Sequence, residues 1–155
     1  MRYVICAVLS CCMAIPHWVM AQQAPKPSFW EIGSYSYVDG NNYESIVTYD
    51  ALTLTPQWDE SDPSPPLPAG EALRAARECL AGLDLPIKGW TLESVNLVPA
   101  HLDSYWYYEV HFVAPKPGTP PGSVYTTFRI KVLMNGVAVV PRISNDSIVG
   151  ATPTN

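Results

Sequence analysis

The sequence predicts an α+β domain, in which one helix packs across an antiparallel sheet of about four strands in two layers, with an extra N-terminal β segment. Residues 71–83 carry a helical apolar stripe, and residues 104–113 alternate between apolar and polar side chains. An Asn-Gly pair at residues 135–136 stands between two apolar runs. A one-sided helix and one-sided strands bury their apolar faces against each other, so these three patterns predict two layers.

The first 21 residues have the layout of a secretory signal peptide. Arg2 is followed by an apolar run, and Val19 and Ala21 offer small side chains before a cleavage site near Ala21. The apolar run is about a dozen residues, shorter than the ~20 needed to span a membrane. We therefore expect an exported protein, periplasmic or secreted, without a transmembrane segment after cleavage. A lipoprotein anchored at Cys11 or Cys12 is a minor alternative, because "VLSCC" approximates a lipidation box.

The remaining chain is predicted to be one domain with short ends. Residues 22–28 form a tether, residues 29–145 a single α+β domain, and residues 146–155 a C-terminal tail. Within the domain, residues 55–70 are a proline-rich segment that sustains neither helix nor ladder. Residues 71–143 supply the helix and a β-meander. Trp58 is the large apolar side chain of the proline-rich segment, so we expect it to anchor that segment.

Charge and cysteine usage restrict the classes of partner. Removing Arg2 with the leader leaves eight basic and fourteen acidic side chains, a formal charge of −6. That sign argues against nucleic acid or an anionic membrane surface as a partner. Cys79 is the only cysteine outside the leader, so an intramolecular disulfide is excluded and an apolar core must stabilise the fold.

The elements follow in chain order. "SYSYV" and "YESIVTY" flank "DGNN" and predict a hairpin, although its loop can be counted as two, four or five residues. The helix "EALRAARECLAGL" begins after Pro68 and ends near Gly82. Its apolar stripe comprises Ala72, Leu73, Ala76, Cys79, Leu80 and Leu83. The strand at residues 89–98 shifts its apolar phase between Leu92 and Val95, which predicts a bulge.

Asn135-Gly136 predicts the closing hairpin, because both residue types tolerate the positive φ of a type I′ turn. A two-residue turn fixes a register in which the apolar side chains face one another. The predicted pairs are Met134–Val137, Val132–Val139, Ile130–Pro141 and Phe128–Ile143.

The strand "SYWYYEVHFV" divides into two faces. The apolar face is predicted to lie beneath the helix and comprises Trp106, Tyr108, Val110 and Phe112. The opposite face, joined by side chains of the neighbouring strand, is the candidate binding face and comprises Tyr105, Tyr107, Glu109, His111, Arg129 and Lys131. We expect the aromatic N-terminal segment to cover this face, with a partner site as the alternative.

The helix "EALRAARECLAGL", the strand "WYYEVHFV" and the final "FRIKVLMNGVAVV" together resemble the PepSY-type module and, more loosely, the cystatin-like folds. The resemblance covers residues 71–140. It departs from the module where "VLMNG" replaces the acid-rich end of the usual closing strand, and the proline-rich and N-terminal segments lie outside it. The resemblance implies a binding or inhibitory role in the cell envelope, with an envelope protein or peptide as partner.

No catalytic signature stands in the sequence, so we predict no enzyme, no metal and no cofactor. Glu109 and His111 project from one strand face and suit either acid–base or metal chemistry, or a structural ion pair with Arg129 and Lys131. We favour the structural pair. Three functions stay open: a binding or inhibitory module, a cone-shaped α+β domain with a ligand cavity lined by Tyr107, Glu109 and His111, and a purely structural envelope protein.

Overall fold

The computed structural model describes residues 31–100, 104–116, 118–120, 122 and 125–144. The predicted signal peptide, its cleavage site near Ala21, the alternative lipid anchor at Cys11 or Cys12, the tether and the tail lie outside the described residues. Within the described part of the chain, no helix is both long and apolar enough to cross a membrane.

Six strands and two helices make up the described chain. Their order and bounds are β1 (Glu31–Val38), β2 (Asn41–Thr48), α1 (Tyr49–Thr53), α2 (Ala69–Gly82), β3 (Thr91–Pro99), β4 (Trp106–Pro115), β5 (Tyr125–Leu133) and β6 (Arg142–Ile143). They form two antiparallel three-stranded sheets, ordered β1–β2–β6 and β3–β4–β5. The predicted single sheet of about four strands with one helix is therefore wrong.

Pro141 explains why the chain leaves the second sheet. After the Asn-Gly turn, Leu133 N–H donates to Val137 O and Val139 N–H donates to Lys131 O. In this antiparallel register the next hydrogen-bonding position falls on Pro141, which has no N–H to donate. The ladder stops there, and the chain crosses to β2, where Ile143 pairs with Tyr43. The strand predicted after the Asn-Gly turn is thus divided: Ala138 bridges to Val132 of β5, and Arg142 and Ile143 pair with β2.

The closing turn also differs from the predicted one. Gly136 has φ +82°, but Asn135 does not have the positive φ that a type I′ turn requires. Gly136 N–H donates to Leu133 O at 2.8 Å, and residues 134–136 form a three-residue connection. Val132 consequently faces Ala138 instead of Val139, a shift of one residue from the predicted register.

The N-terminal hairpin has the kind of two-residue turn that was predicted for the closing hairpin. Asp39 and Gly40 have φ +48° and +83°, and Val38 pairs directly with Asn41. Of the three loop lengths that the sequence allowed, the structure has the two-residue one. Helix α1 follows β2 at once, because the Thr48 side chain accepts a hydrogen bond from Ala51 N at 3.3 Å and caps it. The sequence interpretation gave no helix at residues 49–53 and therefore missed α1.

The core beneath α2 confirms the predicted apolar face of β4. Helix α2 packs on β4 and β5, and its Ala72 and Ala76 are fully buried. The residues of β4, of β5 and of the turn after it that are buried in the same cluster are Tyr108, Val110, Phe112, Phe128, Ile130, Val132 and Met134. Two small helical residues at i and i+4 let the helix approach the sheet closely, while the strands supply the large side chains.

Two residues, Trp58 and Leu67, anchor the proline-rich segment to the domain. The rings of Trp58 and Trp106 meet edge to face at 5.1 Å between centroids, and Trp106 Nε1 donates to Trp58 O at 3.1 Å. Leu67 is buried, and its carbonyl accepts the Tyr108 hydroxyl at 2.9 Å. The predicted Trp58 anchor is confirmed, and Leu67 is a second anchor that the sequence did not indicate.

Candidate functional site

The register of β4 and β5 assembles the polar face predicted from the sequence. Glu109 lies directly opposite Lys131, and His111 lies opposite Arg129. Directly opposite residues of an antiparallel pair place their side chains on the same face, so the acidic and basic groups meet there. The predicted cross-strand pairing of Glu109 with the basic residues of β5 is confirmed.

The N-terminal hairpin covers this face through serine side chains. Lys131 Nζ donates to Ser34 Oγ of β1 and to Ser45 O of β2, the latter at 3.3 Å. Ser36 Oγ accepts from Arg129 N–H at 2.9 Å, a backbone donor that lies beyond the last ladder bond from Val139 N–H to Lys131 O. The cover expected from the sequence is present. Its aromatic contribution differs from the expected one, because Tyr35 and Tyr37 are 57% and 64% exposed, while Tyr43 of β2 is buried and packs edge to face against Phe128.

Lys131 is fully buried by this hairpin. Removal from water lowers the pKa of its ammonium group to about 8, while the attraction of Glu109 raises it and the repulsion of Arg129 lowers it further. The Glu109 carboxylate supplies a counter-charge, with Oε1 3.8 Å from Lys131 Nζ. The alternation of Lys131 with apolar Ile130 and Val132 on β5 gives no signal of such burial, because the covering serines lie far away in the sequence.

Glu109 connects this buried cation to the surface. Its Oε2 lies 2.9 Å from His111 Nε2, and the Glu109 and His111 side chains are 19% and 20% exposed. Each carboxylate oxygen therefore has a different partner, Lys131 on one side and His111 on the other. The described residues contain no group of three or more side chains placed to hold a metal ion.

Tyr107 stands at the other end of the face and is buried in a second apolar cluster with Val47, Leu52 and Leu133. Burial, together with the charge of Glu109, raises the pKa of its hydroxyl. Tyr105 is half-buried against the same cluster, and Arg129 is exposed. The candidate binding face is thus divided: Tyr107 and Lys131 lie inside the domain, whereas Tyr105, Glu109, His111 and Arg129 keep contact with solvent.

The described surface has clefts, but they lie elsewhere. A cleft of about 470 Å³ runs beside Ile46, Val139 and Arg142, and one of about 380 Å³ lies between Tyr37 and Tyr125. A third, of about 340 Å³, adjoins α2. Tyr107, Glu109 and His111 line none of these three, so the cavity expected for the cone-shaped alternative is not found among them.

The contact between Ser34 and Lys131 has the residue types of a nucleophile and its base. A lysine needs a lowered pKa for such a role, and Lys131 has one. In this arrangement a substrate cannot reach the pair, because Lys131 is 0% and Ser34 only 8% exposed. The pair acts here as a buried contact between the hairpin and the sheet.

A second surface, which the sequence analysis did not select, is the outer edge of β3. Ala100 N–H donates to Tyr105 O, so this pair is hydrogen-bonded, and every second pair along the ladder is hydrogen-bonded too. That alternation turns the N–H and C=O of Val98, Asn96 and Ser94 toward β4. Those of Val95 and Leu97 point outward, where no backbone partner meets them within the described residues.

Both ends of this stretch of β3 have features that are typical of an edge strand. The register shifts between Leu92 and Ser94, which confirms the predicted bulge. Pro99 occupies an outward-facing position, where its missing N–H costs no ladder bond. In the sequence, the proline at residue 99 and the shift of apolar phase after Leu92 were the signals that this strand lies at a sheet edge.

Comparisons of the chain with protein-family models, with curated proteins and with solved structures found no match. What can be stated of its class therefore comes from the fold and the site. The described domain is mostly sheet, with a serine-lined hairpin closed over a buried lysine and with the outer edge of β3 unpaired among the described residues.

Proposed function

We propose that the protein is a small exported binding or inhibitory module that engages an envelope protein or peptide through the outer edge of β3. One observation carries the proposal: Val95 and Leu97 present unpaired backbone donors and acceptors in the described part of the chain. An exposed sheet edge is a template for strand addition, in which main-chain hydrogen bonds supply affinity.

The other surface considered for a partner supports this choice less well. The hairpin β1–β2 buries Lys131 and Tyr107, so a partner would have to displace it to reach the centre of that face. The β3 edge needs no such rearrangement. Export and the PepSY-like resemblance enter the proposal as expectations from the sequence, and they give the compartment in which to look for the partner.

The test is capture from an envelope extract with the chain from residue 22 onward as bait. In the variant Asn96→Lys, an ammonium group stands beside the free edge, which is how natural sheets block strand addition. The control Ala81→Lys adds the same charge on the exposed side of α2. We expect the unmodified bait and the control to retain the same protein, and Asn96→Lys to retain at least tenfold less. Equal retention by all three baits, or no retention, would contradict the proposal.

A further inference from the structure

We infer that the β3 edge binds an extended, amphipathic segment of a partner protein, with apolar side chains at alternate positions and a basic residue next to Glu93. This inference rests on the proposed binding function and adds the chemistry of the ligand. The backbone pattern, the two faces of β3 and its charge each contribute one part of the argument.

The backbone sets the length of the bound segment. Between the bulge at residues 92–94 and Pro99, two residues, Val95 and Leu97, present an outward N–H and C=O each. They offer four main-chain hydrogen bonds to an added strand. A ligand of about five to seven extended residues covers this stretch at the ordinary strand rise.

The side chains of β3 set the amphipathic pattern. Leu92, Val95 and Leu97 lie on the α2 side of the sheet, while Ser94 and Asn96 lie on the opposite side. Helix α2 packs on β4 and β5, and it leaves Leu92 39% exposed and Val95 and Leu97 half-buried. A neighbouring strand completes the burial of these three with apolar side chains on the α2 side and keeps polar ones on the other.

The charges near the β3 edge favour a positively charged residue in the ligand. Glu93 is the one charged residue between Thr91 and Pro99, and its position at the bulge leaves its side chain exposed. The Glu109 carboxylate behind the edge is already engaged by His111 and Lys131. With a formal charge of −6 on the chain after leader removal, a lysine or arginine opposite Glu93 is favoured over an acid.

The test uses a synthetic panel of blocked seven-residue peptides in which valine, leucine or phenylalanine alternates with threonine or lysine. A matched panel contains the same residues with the apolar ones grouped in one block. We expect binding by the alternating panel alone, weakened at least tenfold by Asn96→Lys and not by Ala81→Lys. For the best alternating peptide, Glu93→Lys should weaken binding of the lysine form at least threefold and leave an all-threonine form unchanged.

N-methylated peptides test the backbone part directly. Alternate N–H groups of an added strand face β3, so methylating one set of alternate residues should abolish binding and methylating the other should leave it within threefold. Equal sensitivity of both sets, equal binding of the two panels, or no binding at all would overturn the inference. If envelope capture still depends on Asn96 in that case, the proposed function stands and only the ligand class fails. If capture is also independent of Asn96, both fail.

Discussion

Lys131 and Glu109 face each other across β4 and β5 with Nζ and Oε1 3.8 Å apart, and the hairpin β1–β2 covers the lysine. The lysine has the greater desolvation cost, because it is fully buried while the carboxylate keeps contact with water and with His111. The pair therefore holds the hairpin to the sheet at an energetic cost that depends on pH.

The first prediction is a rise in stability above neutral pH. The folded pKa of Lys131, about 8, lies below its ordinary value of 10.5, so the cost of burying the charge is present below pH 8 and is relieved as pH rises toward 10.5. Between pH 7.5 and 9.5 we expect the free energy of unfolding to increase by about 1–2 kcal/mol. Urea denaturation at each pH measures it.

The Cys79 thiol and the buried tyrosines oppose this rise and define the controls. Burial raises the pKa of the Cys79 thiol, so its ionisation favours the unfolded chain in the same window. The series is therefore run in a Cys79→Ala background, and the Lys131→Met variant in that background measures what the tyrosines contribute near the upper end of the window. Lys131→Met in that background should abolish the rise, and an unchanged slope in Lys131→Met would show that another group is responsible.

The second prediction concerns the counter-charge. Glu109→Gln keeps the shape of the side chain but leaves the buried ammonium group without its carboxylate, and we expect a loss of about 1–2 kcal/mol at pH 7, reduced from the fully buried case by the partial exposure of Glu109. Glu93→Gln, at an exposed position of β3, should change stability by less than about 0.5 kcal/mol. Equal effects of the two substitutions would remove Glu109 from the role assigned to it.

The third prediction separates two serines that face each other across β1 and β2. Ser34 Oγ accepts from Lys131, whereas the buried Ser45 hydroxyl has no hydrogen-bond partner among the described residues. Ser34→Ala should destabilise the protein by about 1–3 kcal/mol, since it removes an acceptor from a buried cation. Ser45→Ala should be neutral or stabilising by up to about 1 kcal/mol. Thermal unfolding of both variants decides the matter, and the opposite order would contradict the hydrogen-bond assignment.

The fourth prediction follows the backbone N–H of Arg129. Ser36→Ala removes its hydroxyl acceptor at a position that is 5% exposed, so we expect a loss of about 1–2 kcal/mol. Hydrogen exchange of the Arg129 amide should accelerate in this variant, while Ser64→Ala, at an exposed position, should leave it unchanged. An unchanged rate in Ser36→Ala would mean that the amide has another acceptor.

Local patterns predicted much of this fold. The helix stripe of residues 71–83, the bulge after Leu92 and the apolar face of β4 each depend on neighbours within one element, and all three are confirmed. Asp39-Gly40 gave a usable turn signal for the same reason. Such features depend on backbone dihedral preferences and periodicity, which a single sequence contains.

The errors lie where distant segments compete for one partner. Asn135-Gly136 satisfied the composition of a two-residue turn, but the chain adopts a three-residue connection, and Pro141 ends the ladder soon afterwards. Lys131 was placed on the candidate binding face that the N-terminal segment was expected to cover, but its strand pattern alone cannot show that serines 34 and 45 lie above it. A register depends on which segments meet, and that information is distributed over the whole chain.

The pairing of Tyr43 with Ile143 has a consequence for the order of folding. The hairpin of residues 31–48 is synthesised early and pairs locally, whereas the third strand of its sheet comes from near the end of the chain. Pairing β6 with β2 closes the longest loop of the described topology and so carries the largest cost in loop-closure entropy. This contact is therefore expected to form late. Until then, the sheet has only its first two strands, and the edge of β2 that later receives β6 is open to other chains.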